Sequence, residues 1–232
     1  MAVSVGTAYQ AEGANVTLIT AASVVLAAND VADVTVALRN GDDETVTSVP
    51  FNGSATGVTN ITTSSGAGER VLLAKYRIVG VTGTADVVAN FNESVTAALI
   101  FVQVLQGVDN ATPVGTTDTD TDLGTESGTL TSTVTLSSGD LSITAIVTGV
   151  AFAAATMSIS GGQTQIFAPN DFGVADATAA VSYETGTGAV AGGYTWNGTL
   201  AGWARQIAVP YLAAAGGAAT IARRLLTLGV GN

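Results

Sequence analysis

The side chains best placed for chemistry are the carboxylates of one polar segment, Asp118, Asp120, Asp122 and Glu126. Clustered carboxylates supply the oxygen ligands that Ca²⁺ prefers, so these four residues form a candidate Ca²⁺ site. The spacing does not fit an EF-hand loop, because Leu123 stands where that loop requires glycine. The alternative is a solvated acidic loop, which is the interpretation we favour. We expect no other cofactor.

The rest of the chain has few of the residue types that catalytic sites commonly use. The 232 residues include no His and no Cys, and Lys75 is the single lysine. Histidine is the commonest general base, and His and Cys lead the ligands of zinc sites, so most familiar catalytic sites would lack a member. Glycoside hydrolysis by two carboxylates needs neither residue, but the spacing of the acidic residues selects no pair. We therefore predict that the chain is not an enzyme.

Two aromatic residues suggest a binding surface. Tyr194 and Trp196 come just before the turn signal Asn197-Gly198, and aromatic rings on a sheet can stack against sugars. They are candidate carbohydrate contacts, with Trp196 the better candidate for exposure. The alternative is that aromatic residues in this region, Trp203 above all, belong to the core.

The elements that would position these side chains are strands. Short alternating runs rich in Val and Thr recur between Gly, Asn and Asp turns, a spacing typical of a β-sandwich. We predict an all-β, antiparallel β-sandwich of about ten or more strands over residues 1–212. The polar segment 107–128 is expected to be a loop that crosses between two comparable sets of strands.

The last residues, 213–232, have a different pattern and are predicted to form a short C-terminal helical tail. Ile221, Leu225 and Leu228 recur at helical spacing and form one apolar stripe. An isolated helix of this length is marginal in water, so the stripe needs a covering surface. That surface is either the sheet of the same domain or a groove on a partner. We favour the partner, because the predicted sandwich is complete before the tail begins.

Several sequence runs resemble a known family. The run YRIVGVTGTADVVANF at 76–91 is followed by SVTAA at 94–98 and GVDNATPVG at 107–115. Shorter matches at 138–141, 162–165 and 203–204 keep the same order. Over residues 30–212 the chain resembles a β-sandwich domain found in phage virion or tail proteins and in bacterial surface proteins. The resemblance implies a jelly-roll-like sandwich used for display or attachment, and it supplies no catalytic residues.

The net charge of the chain and its targeting signals further limit the classes of function that the sequence could have. The net charge of −11 disfavours binding to nucleic acid, which requires clustered Lys and Arg. The sequence has neither a secretory signal pattern nor an apolar run long enough for a membrane span. We predict an oligomeric structural protein of a phage virion, a capsid decoration or head-fibre protein assembled in the host cytoplasm beside other virion proteins. The alternative is a carbohydrate-binding module of a tail fibre or cell surface, with a surface glycan as partner.

Overall fold

The computed structural model describes residues 1–39, 44–65, 71–123, 128–149, 157–172, 177–196 and 203–215. Within these ranges the chain is all-β, as predicted, with antiparallel sheets and no helix. The same ranges accordingly contain no helix that could cross a membrane. The strands described there are β1 (Ser4–Leu26), β2 (Val31–Arg39), β3 (Val46–Ser48), β4 (Val58–Ser64), β5 (Val71–Ile78), β6 (Gly83–Gln106), β7 (Asp118–Leu123), β8 (Gly128–Leu136), β9 (Leu141–Thr148), β10 (Met157–Ser160), β11 (Thr164–Phe172), β12 (Ala177–Thr185), β13 (Gly188–Trp196) and β14 (Trp203–Tyr211).

β8 illustrates why these segments form strands. Leu130, Ser132, Val134 and Leu136 are buried, and the threonines between them are exposed. Successive side chains of a strand point to opposite faces, so this alternation gives one apolar and one polar face. The same alternation is visible in the sequence, where Leu, Ser and Val alternate with Thr.

β6 is one strand of 24 residues, although Asn92-Glu93 would by its local sequence divide it into two strands. Its partner β1 stays paired with it on both sides of this point. Val16 lies opposite Val95, and Leu18 lies opposite Asn90. Between these two pairs β6 has more residues than β1. The register shift accommodates the extra residues of β6 as an irregularity in the ladder, so no turn forms. Residues 97–105 are all buried, on both faces of the strand, which agrees with their largely apolar sequence.

The β1–β6 pair folds back on itself. Leu26 pairs with Gly83 at one end, and Val31 pairs with Leu105 at the other. The connection at residues 27–30 can span at most about 18 Å. A straight β6 would separate Gly83 from Leu105 by about 70 Å. The outer part of the pair therefore lies over the rest of its own sheet, with β3 attached to it.

Strands β1 to β6 form the first sheet, in the order β1-β6-β2-β5-β4. The strands after residue 117 form two more. The second sheet has the order β11-β12-β9-β14-β7, and the third has the order β10-β13-β8. The predicted loop over 107–128 is wrong in part, since residues 118–123 are the edge strand β7, paired with β14. An edge strand tolerates charged side chains, which is why an acidic segment can be a strand here.

The second half of the chain repeats the strand pairing of the first. Read from β1, the first sheet runs β1-β6-β2-β5-β4, and the second runs β7-β14-β9-β12-β11. The folded-back part of the first sheet pairs β1 with β6 and β6 with β3. The third sheet matches it by pairing β8 with β13 and β13 with β10. Each half is thus the same arrangement of eight strand segments.

The two halves also share the turn that enters their third segment. The amide of Ala27 donates to Asp30 Oδ2 at 2.9 Å, and the amide of Asp30 donates to the Ala27 carbonyl at 3.1 Å. Ser137 and Asp140 form the same two bonds at 2.7 and 3.0 Å. The position before each aspartate has positive φ and is Asn29 in one half and Gly139 in the other.

Three apolar layers hold the sheets together. The first lies between the first and second sheets, where Phe101 and Phe167 contact each other with ring centroids 5.3 Å apart. The second lies between the first sheet and its folded-back part, and includes Val36 and Phe91. The third lies between the second and third sheets in two small clusters. All three consist largely of Ala, Val, Leu and Ile.

Candidate functional sites

Two of the four predicted Ca²⁺ ligands have described side chains, and both bond to backbone. Oδ2 of Asp118 accepts the Thr133 amide at 2.7 Å, and Oδ2 of Asp120 accepts the Thr131 amide at 2.9 Å. The Oδ1 atom of each carboxylate accepts the amide of the next residue at 2.9 Å. Both oxygens of each carboxylate are therefore engaged by backbone donors.

These bonds join two sheets edge to edge. β7 ends the second sheet, β8 ends the third, and the outward amides of β8 receive carboxylates in place of another strand. In the first half, the Tyr9 hydroxyl accepts the Val25 amide at 3.2 Å and links the two ends of β1. Open strand edges promote unwanted pairing, and these side chains cover part of one such edge.

The remaining ligands of the predicted Ca²⁺ site cannot be placed. The side chain of Asp122 and all of Glu126 lie outside the described residues. Among the residues that are described, no group of three or more acidic, His or Cys side chains is arranged to hold a metal ion. The Ca²⁺ site stays a prediction, and the described geometry supports hydrogen bonding to β8.

The prediction that Tyr194 contacts carbohydrate is wrong, because its side chain is fully buried between the second and third sheets. Its hydroxyl donates to Ser182 Oγ at 2.8 Å and lies 3.3 Å from the Thr144 carbonyl oxygen. Burial raises its pKa well above the usual range for tyrosine. The backbone of Trp196 pairs with Met157 at the end of β13, and its side chain lies outside the described residues.

The predicted docking residues Ile221, Leu225 and Leu228 also lie outside the described residues, as does the predicted helix that carries them. The segment that leads toward them is fixed. The Met1 amino group donates to the Ala214 carbonyl at 2.9 Å, and the Ala214 amide donates to the Gly107 carbonyl at 2.8 Å. The tail therefore follows from a point beside the first residue.

Sequence reasoning missed a buried polar group of four residues, here called the inter-sheet cluster: Asp33 and Thr35 on β2, Lys75 on β5, and Tyr211 on β14. Lys75 Nζ donates to Asp33 Oδ2 at 2.5 Å and to Thr35 Oγ1 at 2.7 Å. The Tyr211 hydroxyl donates to Asp33 Oδ1 at 2.6 Å. Asp33, Lys75 and Tyr211 have no solvent exposure, and Thr35 is 1% exposed.

The electrostatics of the inter-sheet cluster follow from its burial. Desolvation lowers the pKa of Lys75, and the carboxylate of Asp33 opposes this effect. Desolvation raises the pKa of Tyr211 well above its usual range, and Asp33 raises it further. Lys75 and Arg77 are two residues apart on β5 and so share one strand face, which the sequence alone indicates. The sequence could not show that a second sheet covers that face.

Arg77 borders a groove between β4, β5 and the segment that leads into β7. The groove has a volume of about 370 Å³, and its lining is rich in hydroxyl and amide groups. Its lining residues are Thr59, Asn60, Ile61, Arg77, Val114, Gly115, Thr116 and Thr117. Arg77 Nε has no hydrogen-bond partner among the described residues. A guanidinium beside hydroxyl groups can bind a carboxylate or a sugar hydroxyl.

The sequence was compared with known proteins. No protein-family model matches it. A search of curated proteins likewise finds no match.

Proposed function

We propose that this chain is a non-enzymatic structural protein of a phage virion, a capsid decoration or head-fibre protein. It works as an oligomer, through contacts with copies of itself and with other virion proteins. The observation that carries the proposal is the strand order, which occurs twice in the chain.

This strand order fits a jelly-roll-like sandwich. Numbered along the second half, one sheet has the order 5-6-3-8-1 and the other has the order 4-7-2. Strands 1, 8, 3 and 6 and strands 2, 7 and 4 are thus neighbours as in a jelly roll, and strand 5 extends the larger sheet. Eight-stranded jelly rolls are common in viral capsid proteins and in lectins. Two such units in one chain, with their larger sheets packed face to face, support a building-block function.

The use made of charged side chains supports the same proposal. Asp118 and Asp120 bond to the backbone of β8, and Asp33 and Lys75 are enclosed between sheets. Asp33 and Lys75 are closed off from solvent and hold the fold together. Asp118 lines an open groove of about 450 Å³, and both of its carboxylate oxygens are bonded to backbone amides. These four charged side chains thus contribute to the packing of the fold.

Copurification tests the proposal directly. Virus particles purified on a density gradient from the culture that produces the protein should contain it at a fixed ratio to the major capsid protein. Labelling with antibody in the electron microscope should then place it on the head. Its absence from intact, infectious particles would refute the proposal.

The predicted tail can be tested in the same particles. Leu225→Asp with Leu228→Asp should abolish incorporation, because two charges would interrupt the apolar stripe. Thr220→Asp adds a charge outside the stripe and serves as the matched control. Normal incorporation of the double variant would remove the tail from the docking mechanism and leave the sheet surfaces as the attachment site.

Carbohydrate binding is the second candidate, supported by the groove at Arg77 and by the use of jelly rolls in lectins. An acidic glycan is the expected ligand, because the groove combines a guanidinium with hydroxyl groups. A glycan panel should then show retention that Arg77→Ala abolishes, with Trp196→Ala as the comparison for the sequence-based candidate. Absence of binding across acidic and neutral glycans would refute this candidate.

A further inference from the structure

We propose that Lys75 and Asp33 condense inside the folded chain to form an isopeptide bond between β5 and β2. The proposal goes beyond the virion function and does not depend on it. It concerns the single lysine of the sequence, which lies on a strand face shared with Asp33 and Thr35.

The geometry brings the two reacting groups together without solvent. Lys75 Nζ lies 2.5 Å from Asp33 Oδ2, which is shorter than a normal charged hydrogen bond. Thr35 lies directly opposite Lys75 in the ladder, and its Oγ1 accepts a second hydrogen bond from Nζ at 2.7 Å. These two bonds fix the amine against the carboxyl group.

Tyr211 supplies the third element of the site. Its hydroxyl donates to Oδ1 of Asp33 at 2.6 Å, on the carboxyl oxygen that does not contact Lys75. A donor at this position stabilises the negative charge that develops on Oδ1 when the carbonyl carbon is attacked. Burial raises the pKa of Tyr211, so its hydroxyl keeps its proton and stays a donor.

Desolvation favours the neutral reactants. Enclosing an ammonium and a carboxylate away from water costs free energy that their attraction often fails to offset. Burial also lowers the pKa of Lys75, which favours the nucleophilic amine. The amide product carries no charge, so condensation removes the penalty of burying the pair.

The reaction balances without any further reactant. One proton moves from the Lys75 ammonium to Oδ2, giving a neutral amine and a carboxylic acid. Nζ then attacks Cγ of Asp33, and the C–N bond forms as the bond from Cγ to Oδ2 breaks. The departing hydroxyl takes one more proton from Nζ and leaves as water.

Peptide mapping of the wild-type protein tests the proposal. The purified, folded chain is denatured, digested with trypsin and analysed by mass spectrometry. We expect a branched peptide that joins the segment ending at Arg39 to residues 71–77, lighter than the sum of the two by one water. Cleavage after Lys75 should be blocked. Linear peptides alone, with cleavage after Lys75, would overturn the proposal even if no variant folds.

Two variants identify the chemistry. Lys75→Arg retains a positive charge but offers no amine, so its map should contain no branched peptide. Tyr211→Phe retains the ring but loses the donor, so cross-linking followed in freshly synthesised, pulse-labelled protein should be about a hundredfold slower than in the wild type, as for loss of an oxyanion donor. A branched peptide at this position in Lys75→Arg would overturn the assignment. Equal rates for Tyr211→Phe and the wild type would exclude Tyr211 as the donor that stabilises the charge on Oδ1.

Discussion

The double variant Asp118→Ala, Asp120→Ala measures how strongly the acidic strand holds the second and third sheets together. It removes two non-local hydrogen bonds, from the amides of Thr133 and Thr131. A hydrogen bond to a charged group contributes about 1.5–3 kcal/mol when enclosed. These carboxylates are only half-buried, so we take about 1 kcal/mol for each, or about 2 kcal/mol in total.

That loss should be easy to measure. For a chain of this size, each kcal/mol lowers the melting temperature by about 2–4 °C, so the expected fall is about 4–8 °C. Urea unfolding should show the same loss with an unchanged m-value. Thr119→Ala with Thr121→Ala is the control, because these exposed residues alternate with the aspartates on the same strand.

Two results would contradict this reasoning. A loss under about 0.5 kcal/mol, or one equal to that of the threonine control, would show that the carboxylates do not hold β8. A rise in the wild-type melting temperature on adding Ca²⁺, absent in the double variant, would show that they hold a cation and would support the sequence-based Ca²⁺ site. The double variant should also self-associate more than the control in size-exclusion chromatography, since the edge of β8 is uncovered.

Two further predictions concern the core. Gly193→Ala should lower the free energy of unfolding in urea by about 3 kcal/mol, because the new Cβ would lie 2.3 Å from a backbone carbonyl oxygen. Gly186→Ala, whose Cβ would meet only a side chain at 3.1 Å, should lower it by about 1 kcal/mol. Equal losses of stability in the two variants would contradict the packing. Above pH 10, stability should fall by about 1.4 kcal/mol per pH unit for each of Tyr194 and Tyr211, because they ionise in the unfolded chain while burial raises their folded pKa. If Lys75 is not cross-linked, its lowered pKa makes the stability of the protein rise with pH up to its unfolded pKa of about 10.5, and it adds nothing above that pH. An unfolding midpoint that stays flat from pH 10 to 11 would therefore contradict the tyrosine contribution.

The strands themselves were predictable because alternation depends on local sequence alone. The alternation of β8 and the buried run 97–105 needed no knowledge of partners. The ends of β6 were not predictable in this way. Asn92 is of a residue type that favours turns, and the continued pairing of β1 on both sides keeps it in a strand.

The candidate sites were less predictable because they depend on which surfaces meet. Tyr194 is an amphipathic residue near a hairpin, and its burial follows from packing of the third sheet on the second. Asp33 and Lys75 alternate with apolar residues as exposed side chains do. Their burial requires β14, which lies more than half the chain away. The repeat could not be recognised in the sequence, because the two halves share strand pairing and a turn more than they share residue types.

The same long-range contacts have a consequence for synthesis and folding. Ser4 pairs with Gln106, and Asp33 bonds to Tyr211 across 178 residues. The two halves look like modules that could fold in turn, yet each must wait for its last strand, and the inner face of the first half must wait for nearly the whole chain. Such high contact order slows folding and leaves apolar sheet exposed on the nascent chain. We expect the inner face of the first half to be fully buried only after β14 has left the ribosome.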